Sequence, residues 1–108
     1  MRQKKVDRKD ALGCTALFEA VSDDNFQEVK SLLEAGANPN ISENNGTTPL
    51  MEASSGNNGK IVKLLLAHGA NPNLNDNFGD DAASYARSQK HTNLAAFLES
   101  ASIANLKS

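Results

Sequence analysis

Tryptophan is absent from these 108 residues, tyrosine and cysteine occur once each, and there are only three prolines. A single thiol, Cys14, cannot form an intrachain disulfide, which excludes a disulfide-stapled secreted scaffold. No apolar run approaches the roughly 18 residues of a membrane-spanning helix. The start, Met1-Arg2-Gln3-Lys4-Lys5, lacks the apolar stretch that a secretory leader carries behind its charges. The chain therefore reads as soluble and intracellular, cytoplasmic or nuclear. Catalytic sets are missing as well. His68 and His91 form no metal-ligating pair and each fits a turn or helix end; no Cys cluster and no Gly-rich phosphate loop occurs. Asp76, Asp80 and Asp81 gather near a turn without the alternating acids and distal Glu of a calcium loop. No enzyme, metal or cofactor is expected.

With 39% apolar residues and no Trp, a core must come from Leu, Ala, Val and Ile, and one domain of this length needs its layers stacked. Net charge is −2 but unevenly placed. Residues 1–9 hold Arg2, Lys4, Lys5, Arg8 and Lys9 against Asp7, whereas the other 99 residues hold 6 basic and 12 acidic side chains. A basic arm can steer toward nucleic acid or anionic lipid. An acidic body argues against a nucleic-acid groove, and the arm reads as a solvated terminus.

What the chain does have is repetition. Gly36-Ala37-Asn38-Pro39-Asn40 returns as Gly69-Ala70-Asn71-Pro72-Asn73, a shift of 33. Gly13, Gly46 and Gly79 share that spacing, as do Ala20, Ala53 and Ala86. Thr15, Thr48 and Asp81 do too, and each can cap a helix through its side-chain oxygen. Pro49 suits a first helical position, and Gly69 can take the left-handed conformation that closes a helix. Helical spacing puts Leu17, Ala20 and Val21 inward over 15–21, and Phe26, Val29, Leu32 and Leu33 inward over 25–35. A period of this length means units that bury their apolar faces only against neighbours.

The stretches Gly46-x-Thr48-Pro49-Leu50, Ile61-Val62-x-Leu64-Leu65-Leu66 and Gly69-Ala70-Asn71-x-Asn73 resemble the ankyrin repeat. The resemblance covers roughly residues 10 to 99. It implies an all-α solenoid of paired antiparallel helices joined by short β-hairpin loops, with repeats at 10–42, 43–75 and 76–108, the last ending in a C-terminal cap. Val6-Asp7-Arg8-Lys9-Asp10 sits in register with Pro39-Asn40-Ile41-Ser42-Glu43, the arm that joins two repeats, so the basic arm 1–9 reads as the tail of an upstream unit. Ala16 stands for the family proline, Glu28 for the apolar residue at Ile61, and Asp81-Ala82-Ala83-Ser84 for Thr-Pro-Leu-His. The loop Ser54-Ser55-Gly56-Asn57-Asn58-Gly59 is richer in Gly than its equivalents and is expected to be looser. The second helix of the last unit, from Thr92, shows Leu94, Phe97 and Leu98 and can run on through Ala101.

The resemblance further implies specific protein binding on a concave face of hairpin tips and first helices. The tip residues are Ala11, Leu12 and Cys14; Asn44, Asn45 and Thr47; Asn77, Phe78 and Asp80. The first helices contribute Glu19, Ser22 and Asp23; Glu52, Ser55 and Gly56; Tyr85, Ser88 and Gln89. None of these is expected to be needed to hold the stack. Phe78 and Tyr85 are the aromatic candidates for an anchor, and Cys14 reads as a small tolerated residue. The partner is expected to be a protein or peptide of basic character, drawn by Glu19, Asp23 and Glu52, to a monomer that touches neither nucleic acid nor membrane. The alternative is a docking or inhibitory segment of a larger protein or enzyme complex. A designed scaffold is disfavoured by the irregular third unit. The resemblance also raises asparagine hydroxylation at Asn40 or Asn73, although the residues before each target depart from the pattern.

Overall fold

The computed structural model describes residues 5–107, with side chains over 5–104. After a 3-10 turn at Lys5–Asp7, six helices follow in three pairs: α1 (Ala16–Ser22) with α2 (Phe26–Glu34), α3 (Pro49–Ser55) with α4 (Gly59–Ala67), and α5 (Ala82–Ser88) with α6 (Thr92–Lys107). The first helices pack side by side, α1 on α3 and α3 on α5, while α2 packs on α4 and α5 on α6.

Each first helix starts where its cap dictates. The side chains of Thr15, Thr48 and Asp81 accept from the main-chain nitrogens of Phe18, Met51 and Ser84 at 3.1, 3.2 and 2.9 Å. These caps have extended backbone, so the helices begin one residue later, Pro49 being first in α3. The second helices are capped as well. Asn25 and Asn58 accept from Glu28 N and Ile61 N at 3.2 and 3.1 Å. Asn25 is thus a cap and not the first helical residue.

The loop 54–59 follows the same path as its equivalents. Asp24, Asn57 and Lys90, spaced by 33, all sit at positive φ of 55, 55 and 65°. Gly56 has an ordinary φ of −83°, and Gly59 lies within α4. Ser54 is fully buried with its hydroxyl donating to Leu50 O at 2.6 Å. The expected looser loop is therefore not seen in the geometry, because the left-handed position falls on Asn57, which tolerates it.

Small residues set the spacing of the first helices. Ala20, Ala53 and Ala86 are 5, 2 and 0% exposed at the same register, where a larger side chain would push neighbouring helices apart. Leu17, Leu50, Val29, Val62, Leu65 and Leu98 fill the core, each worth about 1.5–3 kcal/mol of transfer free energy. Phe26 and Leu32 are only half-buried, and Glu28 is exposed where Ile61 is enclosed. Phe97 is 40% exposed and carries the Lys63 ammonium 5.8 Å from its ring centroid.

A series of side chains fixes one pair to the next. Asp7, buried, accepts from Asn38 N at 2.9 Å. Asn40, one period on, accepts from Asn71 N at 2.7 Å and donates to Gly69 O at 3.1 Å. Asn73, a further period on, bonds the hydroxyl and carbonyl of Ser102. Helix α6 reaches that far because it has 16 residues where α2 and α4 have 9. No strand occurs among the described residues. Where β-hairpins are expected, each joining segment is a tight turn: Asp10 N to Cys14 O, Glu43 N to Thr47 O and Asp76 N to Asp80 O, all 2.9 Å, close a single rung apiece.

Candidate partner-binding face

The three turns are closed from within by carboxylates at matching positions. One oxygen of Asp10 accepts from Leu12 N and Cys14 N, both at 2.9 Å. Glu43 accepts from Asn45 N and Thr47 N at 2.8 and 2.9 Å, and Asp76 from Phe78 N and Asp80 N at 2.9 Å each. The left-handed residue inside each turn is Gly13, Gly46 or Gly79, at φ 82, 84 and 88°. A Cβ on Gly13 would lie 2.9 Å from Asn44 N, and on Gly46 2.8 Å from Asn77 N, so glycine also permits the turns to touch.

That contact is bonded. Asn44 N donates to Leu12 O at 3.2 Å and Asn77 N to Asn45 O at 3.0 Å, while the Asn77 amide donates to Asn44 O at 3.2 Å. Asn44 and Asn77 therefore take part in holding the stack, contrary to the expectation that the tip residues are idle. Two neighbouring side chains do not: those of Leu12 and Phe78, 69% and 84% exposed.

Tyr85 is also committed. Its hydroxyl donates to Asp76 Oδ2 at 2.5 Å and lies 3.2 Å from Thr47 Oγ1, joining α5 to two successive turns. The Tyr85 hydrogen bond, followed by those from the turn nitrogens, holds the Asp76 carboxyl below the usual range. Burial, then the bond to Asp76, pushes the Tyr85 phenol up. Of the two expected aromatic anchors, only Phe78 projects freely into solvent. Tyr85, Asp76, Asp80, Ser84 and Ser88 line a polar hollow of about 250 Å³.

Around Cys14 the face is acidic. Burial first, then the charges of Asp10, Glu43, Glu19 and Glu52, push its thiol up, so at neutral pH it is not a thiolate nucleophile. Glu19 is raised by its hydrogen bond with Asp10, by that residue's charge, by partial burial and by Asp23. Asp10 is lowered, chiefly by the Cys14 main-chain bond. Glu52 accepts from Ser22 Oγ at 3.2 Å. Ser55 O lies 3.1 Å from His91 Nε2, tying the α5–α6 turn to the end of α3. Asp23 and Gln89 are exposed C-caps of α1 and α5, and His68 caps α4. The amides of Asn40 and Asn73, raised above as modification targets, serve as bridges between units.

Among the described residues no three His, Cys, Asp or Glu side chains converge as metal ligands would, and no helix is long and apolar enough to cross a membrane.

Residues 2–76 match the family model described as ankyrin repeats, three copies. The chain belongs to the ankyrin repeat family. No curated protein matches it in sequence. The family match ends at Asp76, so α5 and α6 lie beyond it. Their sequence departs most from the ankyrin pattern, yet α5 keeps the cap at Asp81, the buried Ala86 and the turn geometry of the pairs before it. Ankyrin repeats are in general protein–protein interaction modules, and typically non-enzymatic.

What sequence reasoning missed is the role of Asp10, Glu43 and Asp76 as turn closers. Their spacing of 33 was the available signal. The bridging by Asp7, Asn40 and Asn73 carries the same signal.

Proposed function

We propose that this ankyrin protein binds a basic protein or peptide on the face formed by the turn tips and by α1, α3 and α5, its pairs stacked as a solenoid of units 10–42, 43–75 and 76–108. One observation supports this reading above others. Glu19, Asp23, Glu52 and Asp80 belong to that face, no Lys or Arg occurs in 10–29, 43–59 or 64–86, and Arg87 of α5 is paired with Glu99 of α6 at 2.7 Å. A field of one sign raises the encounter rate with a cationic partner and disfavours nucleic acid and anionic lipid. Asp10, Glu43 and Asp76 add to the field while spending their hydrogen bonds on the turns. The protein works as a monomer in the cytoplasm or nucleus, with neither cofactor nor chemistry of its own.

The docking-segment alternative draws support from Asp7, which bonds Asn38 N as Asn40 bonds Asn71 N. Residues 1–9 then belong to the tail of a preceding unit.

The test is capture of partners from lysate by the immobilised chain and by a Glu19→Lys/Glu52→Lys variant shown folded by circular dichroism. Partners held by the first and released by the second support the acidic face; equal capture by both sinks it.

A further inference from the structure

Leu12 and Phe78 occupy the same position in the first and third turns, two periods of 33 apart, at 69 and 84% exposure. They are more exposed than the other large apolar side chains on the described surface, Ile103 at 55% and Phe97 at 40%. One exposed apolar residue is ordinary. Two at one register, on turns of the same construction, form a paired feature.

Both are held on stiff supports. Leu12 N is bonded to Asp10 and Phe78 N to Asp76, each at 2.9 Å, and the turn between them is tied to both neighbours through Leu12 O and Asn45 O. Apolar groups fixed in advance lose little entropy on being covered. The middle turn carries Asn45 at the same position, so the two contacts are separate.

Their separation follows from the packing. Helices α1, α3 and α5 are consecutive neighbours, and packed helices lie about 8–10 Å apart, so two steps span about 16–20 Å. An extended chain advances about 3.3 Å per residue, which covers that span in about five or six residues. Beside the two contacts the face offers Glu19 and Asp23 on α1 and Glu52 on α3, and the basic residue of α5, Arg87, is paired with Glu99 of α6.

The geometry points to an extended cationic segment that carries two apolar side chains about five or six residues apart, one packed on Leu12 and the other on Phe78, with Lys or Arg between them over the acidic face. This rests on the binding face proposed above and adds the partner's spacing and chemistry.

The probe is a fluorescein-labelled peptide, Leu-Lys-Ser-Lys-Ser-Lys-Leu, titrated with the full chain and followed by fluorescence anisotropy at low salt. Two control peptides replace its lysines by glutamates or remove its central Ser-Lys-Ser. Binding about tenfold tighter than to either control, and weakened about tenfold by Leu12→Ser and by Phe78→Ser, is the expected result. Both positions are exposed, and circular dichroism checks that the variants fold. Indifference to spacing, equal binding by the Phe78→Ser chain, or no binding by the wild type overturns the inference. A lysate partner lost by Glu19→Lys/Glu52→Lys but kept by Leu12→Ser/Phe78→Ser overturns it too, while leaving the acidic face standing.

Discussion

The hydroxyl of Tyr85 and the carboxylate of Asp76 meet at 2.5 Å, and through them helix α5 is anchored to the turn that precedes it. Asp76 closes that turn with one oxygen and receives the phenol with the other. The unit whose sequence departs most from the family pattern thus makes through a phenol the tie from first helix to turn that Glu19 makes to Asp10 in the first unit.

Replacing Tyr85 by Phe removes this tie and leaves the ring in place. Asp76 then loses its largest stabilising bond, and its pKa rises toward the ordinary carboxylate value. Because the folded-state pKa is lowered, the Asp76 contribution to stability is present above the unfolded value and is lost as pH falls through the folded one. The Tyr85→Phe chain should therefore show a lower Tm at neutral pH and a smaller further loss on acidification. Thermal melts across the acid range check both, with an NMR titration of the Asp76 side chain.

Glu19 has the opposite sign. Its pKa is raised, so its contribution is full below the unfolded value and is lost as pH rises through the folded one. At neutral pH the charged Glu19 faces Asp10 and Asp23 and opposes folding. Glu19→Gln removes that repulsion and should raise Tm at neutral pH while leaving it nearly unchanged in acid. If Glu19 serves a cationic partner, the same change weakens capture, a trade of stability against binding.

Lys90 sits at φ 65°, a left-handed position that Asn57, one period earlier, occupies with a residue type that tolerates it better. A non-glycine residue there costs about 1–2 kcal/mol, part of which glycine returns as unfolded-state entropy. Lys90→Gly should stabilise the chain by about 0.5–1 kcal/mol, and Asn57→Gly by less. Urea midpoints compared at equal m-value decide it.

Asn40 accepts from one main-chain group of the next unit and donates to another. Asn40→Ala removes both; loss of the part-buried bond from Asn71 N should cost about 1 kcal/mol, while water replaces the lost donor at the exposed Gly69 O. Asn40→Asp keeps the acceptor, as Asp7 does one period earlier, and should cost less. The order of the two urea midpoints tests whether the bridge works chiefly through its acceptor.

Much of the fold was legible along the chain because its causes are local or periodic. The caps at Thr15, Thr48 and Asp81, the proline at the head of α3 and the inward stripe of Leu17, Ala20 and Val21 act within one turn of helix. Turn closure by Asp10, Glu43 and Asp76 is just as local, yet an acid beside a glycine reads first as surface charge. The face was harder. By position alone Asn44, Asn77 and Tyr85 look as available to a partner as Phe78, and only the approach of successive turns reveals that their hydrogen bonds are taken. Solvent exposure of Leu12 and Phe78 depends on where the turn points, which the period does not encode. Phe97 likewise keeps helical spacing but remains 40% exposed, under Lys63.

The bond between Asn73 and Ser102 bears on how copies of this chain meet one another. Stacked units are self-similar, and a similar end can template head-to-tail addition that never closes into a ring. Asn40 receives the next unit through its amide; at Asn73 that amide is already occupied by α6. A copy that stacked in this register would first have to displace Ser102 from the Asn73 amide.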